Sequence, residues 1–429
     1  MKKVAVISAS SKICNQEKGS NRFCYLAEFL TRAGFQVDLI ASTFQHMEKK
    51  QRLDTDVNVN DLPYGVVQIY EPGYPKNIDL KRIKSHQILA KSLKKHLENH
   101  GDYDLIYCAI PPNNVAAVAA KYAQTAKIPF IVDVEDLWPE AMELVFGFPV
   151  LKDLLFYPFK RDARTVFAAA DGVVGTSQEY ADRPFRDKTQ ARFKEVVYVG
   201  NELAAFDQGV LDNRDTVAKP DDEFWVTYAG TLGASYDIKT MILAGKELKN
   251  RGYDKIRMIV LGDGPTRKEL EALDDQIGAG TKFLGYCPYP YMAAVLTCSD
   301  IVLNSFVKKA PQSIVTKIGD YLASGRPMIN TCSSPEFRNM VDSEGFGVNV
   351  EAEDAGVLAD AVEQLYLNPE MRQVMGQKAR VLAEQKFDRP RIYQKIVDMI
   401  NELIQTMLLS NVESSKLAIH IQTLKLHFY

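Results

Sequence analysis

Residues 311–327, PQSIVTKIGDYLASGRP, gather side chains able to hold an anion beside a set of hydroxyl groups. Ser313 is a favourable N-cap, the residues after it read as helix, and Gly325 with Pro327 supplies a C-terminal stop. On that helix Ser313, Lys317 and Asp320 fall at i, i+4 and i+7 and share one face. Val315, Ile318 and Leu322 form the opposite, apolar stripe, which belongs against a core. Unpaired N–H groups at the helix start, around Ser313 and Ile314, suit a diphosphate, with Lys317 one turn in. An acid one turn further, Asp320, suits sugar or ribose hydroxyls. Read alone, the same run is an ordinary surface helix, so its neighbours decide.

Two glycine turns supply those neighbours. Gly230-Thr231-Leu232-Gly233 and Gly262-Asp263-Gly264-Pro265 each end an apolar run, as does the approach to Ser313. In a parallel sheet such strand ends lie side by side, so their backbone N–H groups would converge on one ligand. Glycine lets backbone approach phosphate with no Cβ in the way. In the first half, Asp133, Glu135, Asp136 and Glu140 crowd the end of the apolar run 128–132, with Trp138 among them. That is where an α/β sheet keeps its site. The same residues also read as a helix start, with Asp136 as N-cap and Pro139 in the first turn.

The elements that must position these groups alternate. Strands are expected at 4–8, 37–41, 104–109, 128–132, 168–176 and 196–199, with helices at 22–33 and 79–100 between them. The polar, Pro- and Gly-punctuated stretch 54–75 reads as a connection. The rhythm restarts with strands at 225–229, 258–261, 283–285, 301–304 and 328–330 and an edge strand at 347–350. Residues 207–222 are polar and aperiodic, and read as a linker. The expected organisation is 1–206, then that linker, then 223–386, with 410–429 an unassigned tail. No G-x-G-x-x-G follows the first strand, which disfavours a dinucleotide dehydrogenase.

Composition agrees with two α/β domains. The chain has 429 residues, a net charge of -3 and 46% hydrophobic residues, with no global pull toward nucleic acid. Six scattered cysteines without ligand spacing fit a reducing compartment. The N-terminus reads as a first strand rather than a signal peptide, and no apolar run is long enough to span a bilayer. Residues 151–167 combine Leu and aromatic side chains with Lys152, Lys160, Arg161 and Arg164, a pattern suited either to an anionic membrane surface or to core packing.

From YAGTLG at Tyr228 through VLGDGP, FLGY, DYLASGRP and MGQKAR, the chain resembles the retaining glycosyltransferases of family 4. The first half resembles them more loosely, through Gly19-Ser20, the strand 104–109 and AADGVVGTS, and DVEDLWPE is similar to bacterial enzymes that build surface polysaccharides. The resemblance implies an α/β GT-B fold, two Rossmann-like doubly wound domains facing each other across a cleft. It implies an N-terminal acceptor domain, a C-terminal nucleotide-sugar domain and a last helix, from about 387 with Tyr393, that returns to the first. The implied activity is transfer of a hexosyl or N-acetylhexosaminyl group, with retention, from a nucleotide sugar, UDP-linked by expectation. The implied acceptor is a saccharide or lipid-linked molecule in cell-surface or exopolysaccharide biosynthesis.

By the same resemblance Gly262, Asp263, Gly264, Pro265 and Tyr286 line the base and ribose pocket, with Gly230, Thr231, Gly233, Ser313 and Ile314 on the donor. Asp320 takes the second acid position of the E-x7-E motif, and Gln312 stands as an amide at the first. The positions where basic residues follow the first glycine loop hold Thr231 and Tyr236. Lys317 must then carry the positive charge, with Lys239 as a second candidate. Glu135 takes the place of a histidine, and Glu135 or Asp136 would accept the acceptor's proton or hold a donor hydroxyl. Gly19, Ser20 and Trp138 fall on the acceptor side. No metal and no bound cofactor are expected, and the implied location is the cytoplasm, peripheral on the inner membrane face. A nucleotide-sugar 2-epimerase of the same fold and a non-catalytic partner in a polysaccharide assembly complex are the alternatives, the second because of Gln312.

Overall fold

The computed structural model describes the chain apart from residues 15–16, 18–20, 53–58, 78, 146–151, 188, 311–313 and 427–429, and describes no side chains for 144–145, 152–153 and 410–426. It forms two compact units, Met1–Val197 with the chain from Tyr393 onward, and Tyr198–Ile392.

The first unit opens with β1 (Lys3–Ile7), α1 (Arg22–Arg32), β2 (Gln36–Ser42), a small antiparallel pair β3 (Phe44–Gln45) and β4 (Lys50–Gln51), and β5 (Gly65–Ile69). It continues with α2 (Leu80–His100), β6 (Leu105–Ile110), α3 (Asn113–Ala126), β7 (Phe130–Val134) and α4 (Glu140–Val145). Then follow α5 (Lys152–Ala169), β8 (Gly172–Gly175), α6 (Gln178–Arg186) and β9 (Phe193–Val196). Seven strands pair in the order β5-β2-β1-β6-β7-β8-β9, all parallel. LIYCAI and FIVDV are buried throughout, as strands covered on both faces must be. β5 lies in the stretch read as a connection, and residues 168–176 divide between the end of α5 and β8.

The second unit runs α7 (Leu203–Asn213), β10 (Phe224–Ala229), α8 (Ile238–Asn250), β11 (Ile256–Leu261), α9 (Arg267–Ile277), β12 (Lys282–Gly285) and α10 (Tyr289–Cys298). It goes on to β13 (Ile301–Asn304), α11 (Lys317–Ala323), β14 (Met328–Asn330), α12 (Pro335–Glu344), β15 (Gly347–Asn349), α13 (Ala355–Leu367) and α14 (Pro369–Leu382). Its parallel sheet is ordered β12-β11-β10-β13-β14-β15, so the chain reverses direction between β10 and β13. The C-terminal crevice of an open α/β sheet lies at that reversal. At the other edge, asparagines that end β13, β14 and β15 hydrogen-bond in a row: Asn304 donates to Asn330 and Asn330 to Asn349, both at 2.8 Å. The segment expected as a linker carries the second half of α7, which is anchored by buried Phe206.

The last helix, α15 (Arg389–Leu426), buries Tyr393, Ile396, Ile400 and Leu403 along one stripe. Tyr393 packs edge-on against Tyr25 at 5.2 Å in the first unit. Beneath it Arg22, fully buried, holds Asp133 through two bonds of 2.9 and 3.2 Å and donates to Val197 O. Tyr107 donates to the same carboxylate at 2.7 Å. A buried ion pair so completely hydrogen-bonded ties α1, β6, β7 and the exit of β9 into one assembly.

Candidate active site

In the second unit the strand ends β10, β11 and β12 bring Gly230, Gly262 and Tyr286 next to one another. Gly230 N donates to Leu261 O, Leu232 N to Asp263 O, and Gly262 N to Gly285 O, at 2.9, 3.0 and 2.7 Å. The amides expected to face a phosphate are thus largely spent on joining the two turns. The glycines serve that junction. At Gly262, whose φ is +129, a Cβ would stand 1.8 Å from Gly230 O, and at Gly264 one would stand 2.3 Å from Leu232 O. Thr231, Asp263 and Pro265 are exposed, Gly233 is half-buried, and Tyr286 is 83% exposed beyond Gly285. Asp263 is occupied by its own turn, accepting from Gly264 N at 2.8 Å.

α11 begins at Lys317, three residues later than expected. Ile314, Val315 and Thr316 are β-branched in succession, which disfavours helix there. The i, i+4, i+7 face from Ser313 is therefore not a helical face, and a helix of seven residues offers no N-terminal anion site. Gln312 and Ser313 lie outside the described residues, and Ile314 is half-buried against the core. What remains is Lys317 and Asp320 in the first turn of α11. Tyr321 fixes that turn against β10: its hydroxyl accepts from Ala229 N at 2.8 Å and donates to Ala229 O at 2.9 Å.

Lys317 consequently folds beside Gly230, its Nζ 3.2 Å from where a Cβ would stand. The ammonium lies 4.1 Å from the ring centroids of both Tyr228 and Tyr236 and 5.4 Å from that of Phe306. It is enclosed and has no hydrogen-bond acceptor among the described residues. Burial pushes its pKa well below the usual lysine value. The rings offer cation–π attraction but no counter-charge. Lys239, the second candidate cation, is exposed in the first turn of α8.

Asp320 accepts from Tyr289 OH at 2.8 Å and Asn201 Nδ2 at 3.0 Å, both on Oδ1. Oδ2 has no protein donor among the described residues. Burial raises this carboxyl, opposed by those two bonds and by Arg389. Asn201 is itself pinned, its N accepted by Phe387 O and its O accepting from Arg389 N. Tyr228, Phe306, Tyr289 and Asn201 were not legible as site residues. A cavity of about 430 Å³ in the second unit lies at the opposite end of the strands, beside Pro327 and Asp300, away from these groups.

In the first unit the four carboxylates separate. Asp133 belongs to the Arg22 pair, and Glu140 accepts from Arg183 Nε at 2.6 Å. Asp136 does not cap α4; its Oδ1 accepts from Leu137 N at 2.8 Å. Glu135 stands just beyond β7 with 28% of its side chain exposed and Arg22 Nε 3.8 Å away. Burial, then the Asp133 and Asp136 charges, push its carboxyl up to about 8, against the pull of Arg22. Trp138 is buried, with the Arg82 guanidinium 4.7 Å from its ring centroid. Gly19 and Ser20 lie outside the described residues. Among the described residues no three His, Cys, Asp or Glu side chains gather as a metal site, and no helix is long and apolar enough to cross a membrane.

Residues 19–188 match the family model Glycosyltransferase Family 4, and residues 211–382 match Glycosyl transferases group 1. EpsD of Bacillus subtilis (strain 168), assigned as a glycosyltransferase, is 22% identical over 319 residues, 72% of this chain and 79% of EpsD. The sucrose-phosphate synthase (tll1590) of Thermosynechococcus elongatus superposes with a TM-score of 0.72 at 19% identity, covering 95% of this chain and all of that one. Anabaena Alr3699/HepE, solved in complex with UDP, superposes at 0.67 with 17% identity, over 94% of this chain and all of that one. With one family model on each unit and this fold beneath both, the chain is a GT-B glycosyltransferase of the family 4 and group 1 type.

Proposed function

We propose that the chain transfers a hexosyl or N-acetylhexosaminyl group from a nucleotide sugar, with retention, to a saccharide or lipid-linked acceptor in cell-surface polysaccharide biosynthesis. The observation that carries this reading is the ammonium of Lys317, enclosed beside the Gly230 turn with no hydrogen-bond acceptor among the described residues. It stands at the crevice where an α/β sheet binds its ligand. A diphosphate would supply the missing negative charge, and its arrival would restore the lysine's ordinary basicity. Asp320 Oδ2 would accept from a ribose hydroxyl, its carboxylate held in place by Tyr289 and Asn201. The solved UDP complex of Anabaena HepE supports UDP as the carrier.

In the reaction, the bond from the anomeric carbon to the diphosphate oxygen breaks and the acceptor oxygen bonds to that carbon. Charge builds on the departing diphosphate, where a preorganised ammonium in a dry setting stabilises it most. Glu135 or Asp136 of the first unit would handle the acceptor hydroxyl's proton. The site would work without a metal ion, Lys317 meeting the leaving-group charge. Leu154, Leu155 and Tyr157, exposed on α5, would rest on the inner face of the plasma membrane. A thermal-shift panel of UDP-, GDP- and dTDP-sugars, followed by nucleotide release on adding candidate acceptors, tests the reading. UDP-sugars are expected to raise the melting temperature. Absence of any shift or release across the panel would overturn the proposal.

A further inference from the structure

The first unit encloses a cavity of about 440 Å³, within the roughly 300–1,000 Å³ of small-molecule sites. Ile83, Met142, Phe159 and Trp138 make its walls predominantly apolar. The lining residue Leu80 is 81% exposed, and on α5 Leu155, one turn before the lining residue Phe159, is 60% exposed. An apolar cavity that continues onto exposed leucines suits an occupant longer than the cavity itself.

The polar end is cationic. Arg82 Nη1 donates to Asn77 O at 3.0 Å, and Arg82 Nε is enclosed without an acceptor among the described residues. Lys49 Nζ donates to Asn77 Oδ1 at 2.7 Å, so two cations meet at this lining residue. Of the two lining carboxylates, Asp79 accepts from Lys81 N as the N-cap of α2. The other, Asp136, accepts from Leu137 N at 2.8 Å, and burial raises its carboxyl against that bond and the Arg82 charge. His86 is pushed down to about 3 by burial and stays neutral.

We propose that this cavity binds the hydrocarbon chain of a phosphate-headed amphiphile, with Arg82 taking the phosphate. Naming that amphiphile as the sugar acceptor rests on the transferase reading; its binding does not. The head would lie by Asp136, one residue from Glu135.

The chain has two tryptophans, so Trp225→Phe leaves Trp138 as sole emitter in the cavity wall. Fluorescence titration with hexyl, octyl and decyl phosphate below their micelle concentrations, without nucleotide, should show Kd falling roughly tenfold for each two methylenes added. Calorimetry on the unsubstituted chain repeats the series. Arg82→Gln should weaken decyl phosphate about tenfold and leave decanol unchanged. Ile83→Asp, with its fold checked by circular dichroism, should abolish the dependence on chain length. The inference is overturned by binding indifferent to chain length, by decanol binding as tightly as decyl phosphate, by inorganic phosphate giving the full response, or by Ile83→Asp keeping the series. Sugar transfer without the chain series would remove this inference alone, and the series without transfer would remove only the transferase reading.

Discussion

Tyr289 donates its hydroxyl to Asp320 Oδ1 across 2.8 Å, bringing the first turn of α10 onto the first turn of α11. The bond favours the charged carboxylate against burial, which raises Asp320. Tyr289→Phe should therefore raise it further, and the acid limb of UDP affinity should move to higher pH. Asp320→Asn, which loses a charged acceptor worth about 1.5–3 kcal/mol, should weaken UDP by roughly 10- to 150-fold. Calorimetry at several pH values reads both.

Lys317 gives changes of opposite sign. Lys317→Met keeps the bulk among Tyr228, Tyr236 and Phe306 and removes an enclosed ammonium that has no acceptor among the described residues. The free protein should gain about 1–3 kcal/mol, seen as a higher melting temperature, while UDP binding is lost. With the folded pKa below 10.5, the unfolded chain holds more protons in the interval between the two values. Stability of the free protein should then rise with pH across that interval, and Lys317→Met should lack the rise. A variant that loses stability and keeps UDP affinity would sink the diphosphate assignment.

Glu135 sets the expected pH profile. Burial and the Asp133 charge push its carboxyl up to about 8, so in the proposed role of base it would act once ionised. Transfer should rise with pH through about 8, and Glu135→Gln should remove that limb and lower kcat by roughly 10²–10⁴. Asp133 charge helps to hold Glu135 up, so Asp133→Asn should move the limb to lower pH. It also breaks the buried Arg22 pair, at about 3–5 kcal/mol, which urea denaturation measures.

The parallel strands were legible because their residues are apolar in unbroken runs, and the two-unit α/β architecture follows from their alternation with helices. The start of α11 was not, since a good N-cap and apolar spacing concealed three successive β-branched residues. Arg22 read only as the first residue of a helix. Only pairing with Asp133, 111 positions away, explains its burial. The enclosure of Lys317 joins residues from β10, the loop after it, the loop after β13 and α11, a meeting that no local pattern announces. The glycine turns were visible at once, but their main physical cause is backbone meeting backbone, which appears only when β10 and β11 are paired.

That last distinction can be measured. At Gly262 the backbone has φ +129 and an added Cβ would stand 1.8 Å from Gly230 O, with main chain on both sides and no flexible side chain to yield. At Gly233 the nearest atom to such a Cβ is Thr231 Cγ2 at 3.9 Å, an ordinary contact. Gly262→Ala should therefore cost about 2 kcal/mol or more and displace the turn against which Lys317 rests, weakening UDP with it. Gly233→Ala should leave stability within about 0.5 kcal/mol, because the half-buried position has room for a Cβ and no backbone strain. If instead the glycines serve chiefly to admit phosphate, Gly233→Ala would weaken UDP without loss of stability. Thermal melts of the free proteins beside UDP calorimetry separate the two accounts, since junction glycines lose stability before any ligand is present.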